Sequence, residues 1–187
     1  MTADDPAMAF ERSRGATFTW RTIGPHLVQF LRNLPRVRRA KKAGRVSDAF
    51  AEKIMLAVTA VNECPYCARY HTDLAADADV SRETVRQILE NDVETAVDDD
   101  ELPALQFAQH YAESNADPDE AALEELYAVY GRQTGEDVLA YVRAIYFGNL
   151  LGNTYDAVRA SLSSFGRSLR TRLERTRSSL ERRCPLC

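Results

Sequence analysis

Helix-starting residues punctuate this chain at short intervals, and that punctuation restricts the class of fold it can adopt. Ser47 stands ahead of Asp48-Ala49-Phe50-Ala51-Glu52 as an N-cap, and apolar residues follow at helical spacing at Phe50, Ile54, Val58 and Val61. Asn62-Glu63-Cys64-Pro65 breaks that run. Pro65 suits the first turn of a second helix, to about Ala78, because its fixed φ fits and its missing N–H is not needed there. Ser81 begins a short helix through Ile88 and Leu89. Asp98-Asp99-Asp100-Glu101 puts negative charge at the positive end of a further helix, ending near Asn115. Asp117-Pro118 reads as an N-cap with a first-turn proline, opening a helix to about Tyr130 that Gly131 closes. A long helical stretch is expected from Glu136 to about Phe165, interrupted at Gly148 and Gly152, while residues 24–45 form one or two helices interrupted at Pro35. There is no sustained alternation with β-branched enrichment and no hairpin dipeptide, so the expected fold is all-α.

At 187 residues the chain is long enough for one substantial core with extensions. The expected division is a flexible segment 1–20, a helical domain 21–165 and a basic helical tail 166–187. In that tail Leu169, Leu173 and Leu180 form a narrow apolar stripe suited to docking, for instance on a second subunit. Charge is unevenly spread. Residues 11–45 carry ten Arg or Lys against Glu11, and residues 161–187 carry seven Arg against Glu174 and Glu181. The span 46–165 holds 7 basic and 23 acidic residues. The basic residues are not interleaved with aromatics as in single-strand binders, so nucleic acid is disfavoured as a partner. Packing of the basic ends on acidic faces of the same or a neighbouring subunit is the preferred reading. No run approaches the roughly 20 apolar residues of a membrane span, and the first ten residues lack the basic-then-apolar pattern of a secretory signal. The expected location is the cytoplasm, with no membrane partner.

Chemistry concentrates at Glu52, Cys64-Pro65-Tyr66-Cys67 and His71. Each helical residue turns by about 100°, so Cys67 and His71, four apart, share one line, and Cys64 lies about 60° from Cys67. Two thiols and an imidazole on one face suit redox chemistry. The thiolate is the nucleophile, and a helix N-terminus lowers a thiol's pKa. His71 can stabilise a Cys67 thiolate when protonated or accept its proton when neutral. Glu52 has Ala49, Met55 and Leu56 as helical neighbours, so its carboxylate is expected to be partly buried, with its pKa raised toward that of a general base, if the two helices fold back on each other. Tyr66 is a candidate for orienting a substrate. Asn149, Asn153 and Tyr155 stand among Gly148, Leu150, Leu151 and Gly152, and two readings compete: they line a substrate pocket, or the glycines permit close helix approach and the asparagines sit at helix ends or an interface.

The spacing E-x11-C-x-x-C-x-x-x-H, with Ala60-Val61-Asn62-Glu63-Cys64-Pro65-Tyr66-Cys67-Ala68-Arg69-Tyr70-His71-Thr72 around it, resembles the AhpD-like alkylhydroperoxidases of the carboxymuconolactone decarboxylase superfamily, in particular their peroxidase-related branch. The resemblance covers residues 47–78, with a looser helical match to about residue 160. It implies an AhpD-like helical domain that assembles into a homo-oligomer: trimer, hexamer or dimer. It also implies roles. Cys67 would attack a hydroperoxide and become a sulfenic acid, and Cys64 would resolve it as a Cys64–Cys67 disulfide. Glu52 and His71 would relay the proton, and a lipoyl-bearing or thioredoxin-like partner would reduce the disulfide. No cofactor and no metal is implied. Family motifs often have a histidine between the cysteines where this chain has Tyr66, which removes one proton carrier.

A second pair, Cys184-Pro185-Leu186-Cys187, ends the sequence. Three readings stand: a redox shuttle to the first pair, two ligands of a four-cysteine zinc site with Cys64 and Cys67, or a tail without a role. The alternative function is accordingly a thiol–disulfide or zinc-binding protein acting as a sensor or interaction module.

Overall fold

The computed structural model describes residues 15–183, with side chains described as far as residue 164. The sequence expectations for Leu169, Leu173, Leu180, Cys184 and Cys187 therefore fall outside the described side chains. Seven helices and no strand make up the described residues: α1 (Ile23–Ala43), α2 (Asp48–Asn62), α3 (Pro65–Asp77), α4 (Arg82–Leu89), α5 (Val93–Ala96), α6 (Leu102–Glu113) and α7 (Glu120–Arg183). The fold is all-α.

Helix α2 is the hub, packing on α3, α4, α6 and α7, while α1 lies along α7. Its composition explains that position. Ser47 caps it, the hydroxyl accepting the N–H of Phe50 at 3.1 Å. Nearly every residue that follows is apolar or small, so α2 is buried around most of its circumference, at Phe50, Ile54, Leu56, Ala57, Val58 and Ala60 among others. A helix apolar on all sides has to be surrounded, and the other helices supply the shell. Truncating its fully buried Ile54 to alanine would cost about 2–5 kcal/mol.

Several boundaries differ from the sequence expectation, each for a local reason. Pro35 lies inside α1 without ending it, and α1 closes at Gly44, whose left-handed φ of 65° carries its N–H back to the carbonyl of Ala40. The cap of α7 is Asp119, whose carboxylate accepts the N–H of Ala122 at 2.8 Å, so Asp117-Pro118 lies ahead of the helix. Gly131 ends the first part of α7 as expected: its backbone (φ 72°, ψ 159°) is non-helical, and a second helical segment starts directly after this kink. Gly148 and Gly152 lie within uninterrupted helix. Ahead of α1, Ala16 and Phe18 are tied to α7: the Ala16 carbonyl accepts from Asn153 at 3.2 Å, and the Phe18 N–H donates to Thr154 at 2.8 Å. The short helix α5 has no counterpart in the sequence reading.

Candidate active site

The turn between α2 and α3 builds the site. Glu63 takes a left-handed φ of 46° and ends α2, and Pro65 occupies the first turn of α3. Cys64 is then the N-cap of α3, its sulfur accepting the backbone N–H of Cys67 at 3.4 Å. The two Sγ atoms lie 2.8 Å apart as free thiols. Cys64 is fully buried and Cys67 is 7% exposed, so an incoming reagent meets Cys67 first.

The pair shares its protons unequally. Hydrogen bonding from Cys67, through its thiol and backbone N–H, lowers the pKa of Cys64 despite burial. The same bond, together with desolvation, pushes Cys67 up, with a hydrogen bond from Asn149 opposing the rise. One proton therefore leaves the pair easily and the second is held.

One turn along α3, His71 is buried, its Nδ1 2.7 Å from Oε2 of Glu52 on α2. The expected folding-back of α2 on α3 thus brings Glu52 and His71 together, with both side chains only about a tenth exposed, at 12% and 10%. A carboxylate on Nδ1 holds the ring orientation and favours the tautomer with Nδ1–H, leaving Nε2 as the nitrogen able to take a proton. Tyr66 is 75% exposed on the surface beside the pair. Tyr70, 57% exposed, packs edge-on against the His71 ring at 5.2 Å.

Helix α7 closes the site from the other side through the segment 148–155 that the sequence reading singled out, with Gly152 and Asn149 nearest the thiols. A Cβ at Gly152 would stand 2.8 Å from Cys64 Sγ and 3.7 Å from Cys67 Sγ, so only glycine lets α7 approach the thiols this closely. Gly148 has no such contact, its nearest neighbour being Ile145. Asn149, fully buried, donates to Thr59 at 3.1 Å and accepts from Asn62 at 3.3 Å, in addition to its bond to Cys67. Asn153, named from sequence as a pocket residue, ties the end of α2 to the lead-in segment: its amide donates to the carbonyls of Asn62 at 2.8 Å and Ala16 at 3.2 Å. Among the described residues no three His, Cys, Asp or Glu side chains converge as a metal centre would require. No described helix is long and apolar enough to cross a membrane.

Residues 25–110 match the model of the carboxymuconolactone decarboxylase family, a span that includes Glu52, Cys64, Cys67 and His71 and ends before α7. No curated protein and no solved structure matches the chain significantly.

Proposed function

We propose that this chain, whose residues 25–110 form a carboxymuconolactone decarboxylase family domain of the AhpD-like superfamily, is a thiol peroxidase that reduces organic hydroperoxides through a Cys64–Cys67 disulfide cycle. The observation that carries this reading is the conjunction of two adjacent thiols, one of them acidified, with a buried Glu52–His71 pair one helical turn away.

Cys67 is the attacking sulfur because it alone of the pair is reachable from solvent. Cys64 gives up the first proton, with His71 Nε2 and Glu52 as the relay that takes it. The proton held by Cys67 passes to Cys64 across the 2.8 Å contact as Cys67 attacks, so that charge develops on Cys67 only in the reaction. Its sulfur takes the terminal peroxide oxygen, the O–O bond breaks, and the alkoxide leaves as alcohol after taking a proton. The Cys64 sulfur then displaces the oxygen from the Cys67 sulfenic acid as water and forms the disulfide. The sum is ROOH plus two thiols giving ROH, water and one disulfide. A dithiol reductant, lipoyl-bearing or thioredoxin-like, returns two electrons by exchange. Asn149 steadies the Cys67 sulfur through its hydrogen bond. This chemistry has an antioxidant role and needs no cofactor.

The test is peroxide consumption by the pre-reduced chain, with free thiols counted before and after. Wild type is expected to lose two thiols at the first pair for each peroxide consumed, and Cys67→Ser to consume none while keeping its helical content. Thiols that survive peroxide but exchange with a small disulfide would replace the peroxidase reading with that of a disulfide reductase.

A further inference from the structure

A groove of about 500 Å³ runs between α1 and α7, lined in part by Gln29, Arg32, Asn33, Arg36 and Arg143. Three arginines are among its lining residues and no Asp or Glu is. Among the described residues neither Arg32 nor Arg36 forms an ion pair. Two of the residues that line the groove each carry a buried polar atom without a partner. Asn33 is only 3% exposed and donates to the carbonyl of Ala140 at 2.7 Å, yet its Oδ1 is buried without a partner. Arg143 interacts with Tyr111, yet its Nε is likewise buried without a partner. Native folds rarely leave such groups unsatisfied, and each costs free energy that a bound ligand would recover.

A second hollow shares Arg36 and continues along the same helices past Arg39, Arg45 and Arg132. Its acidic residues are already engaged. Asp137 accepts from Arg45 at 2.7 Å, and Glu136 accepts from Tyr127 at 3.0 Å. The first hollow is therefore the one whose arginines have no carboxylate among the lining residues.

We propose that the α1–α7 groove is a binding site for a phosphate group, presented as the free ion or on a small hydroxyl-bearing phosphoester. Guanidinium groups approaching from two helices suit a doubly charged oxyanion with several acceptor oxygens better than a planar carboxylate, which one arginine can saturate. Asn33 Oδ1 and Arg143 Nε are closed to solvent and would meet a ligand as their side chains turn into the groove. An ester hydroxyl would then pair with the Oδ1 acceptor, so a sugar phosphate should satisfy both atoms and inorganic phosphate only Arg143.

Isothermal titration of the full chain at 0.15 M salt tests this with glucose 6-phosphate, inorganic phosphate and a 20-base-pair duplex DNA. Saturable 1:1 binding of the sugar phosphate is expected, weakened by about tenfold in Arg36→Gln and more in Arg143→Gln, since charge-assisted bonds are the strong ones. Arg36 is exposed, so its variant tests the site even where Arg143→Gln fails to fold. Arg86, paired with Glu83 and Glu90 on α4, is the control, and Arg86→Gln should bind as wild type. Equal affinity for inorganic phosphate would support the anion site and assign it to the free ion. Absence of saturable binding by either phosphate, or equal weakening in Arg86→Gln, would overturn the proposal. So would duplex DNA binding more tightly than both phosphates with a steep salt dependence, which marks a polyanion surface.

Discussion

Cys64 does two jobs with one sulfur: it caps α3 by accepting the Cys67 N–H, and it shares a thiol proton with the Cys67 sulfur 2.8 Å away. Both interactions favour its thiolate, so its folded pKa lies below the unfolded value of about 8.5. A group lowered in this way contributes stability that is present above the unfolded pKa and is lost as pH falls through the folded one. Cys67, raised by the same contact, works in the opposite sense: its contribution is present below the unfolded pKa and fades as pH rises. In a chain carrying Cys184→Ser and Cys187→Ser, thiolate absorbance at 240 nm is expected to show one ionisation per chain below about pH 8.5, with the second absent up to about pH 10. Cys64→Ser should remove the early ionisation, and urea melts should lose the matching decline in stability on acidification. Two ionisations near the free-cysteine value would show that the sulfurs do not share a proton.

Within the elements, the glycines of α7 differ in kind. Gly152 is required by packing, because a side chain there would strike the Cys64 sulfur. Gly131 is required by backbone conformation: at φ 72° and ψ 159° it occupies a region essentially closed to other residues, and a Cβ there would meet nothing within 4 Å. Gly131→Ala is thus expected to destabilise the fold by about 1–3 kcal/mol through strain alone, read as a lower midpoint in denaturant. The midpoint of Gly24→Ala should move far less, since Gly24 also has open space around it but no positive φ. Matching losses in the two variants would show that the bend at Gly131 is not a point of constraint.

For the whole molecule, the exposed part of α7 beyond the site carries Leu151, Tyr155, Val158 and Leu162, each more than half exposed. Their spacings of four, three and four place them along one line of the helix, the seam of a helix that pairs with another. With the basic residues of 161–187 opposite in sign to the acid-rich span 46–165, this seam predicts that copies of the chain associate through it. Val158→Asp with Leu162→Asp is expected to shift the species seen by sedimentation velocity toward the monomer, without change in helical content. An unaltered sedimentation coefficient would place any subunit contact elsewhere.

What the sequence determined by itself was whatever is local: the all-α class, the Ser47 cap, the break at Asn62–Cys64, Pro65 in the first turn and the shared face of Cys67 and His71. These depend on residues within about a turn of one another, where capping and helical period are decisive. The Glu52–His71 contact was legible one step further out, because α2 and α3 are joined by a tight turn and Glu52 sits on a largely apolar face. The tertiary structure alone decided that Gly152 and Asn149, more than 80 residues along the chain, complete the thiol site, and that Gly148 does not. It also decided that Asn153 fastens the lead-in segment and that Asn33 and Arg143 share a groove. Those relations depend on which faces of α1, α2 and α7 meet, and helical period leaves that choice open because each of these helices has more than one face able to pack.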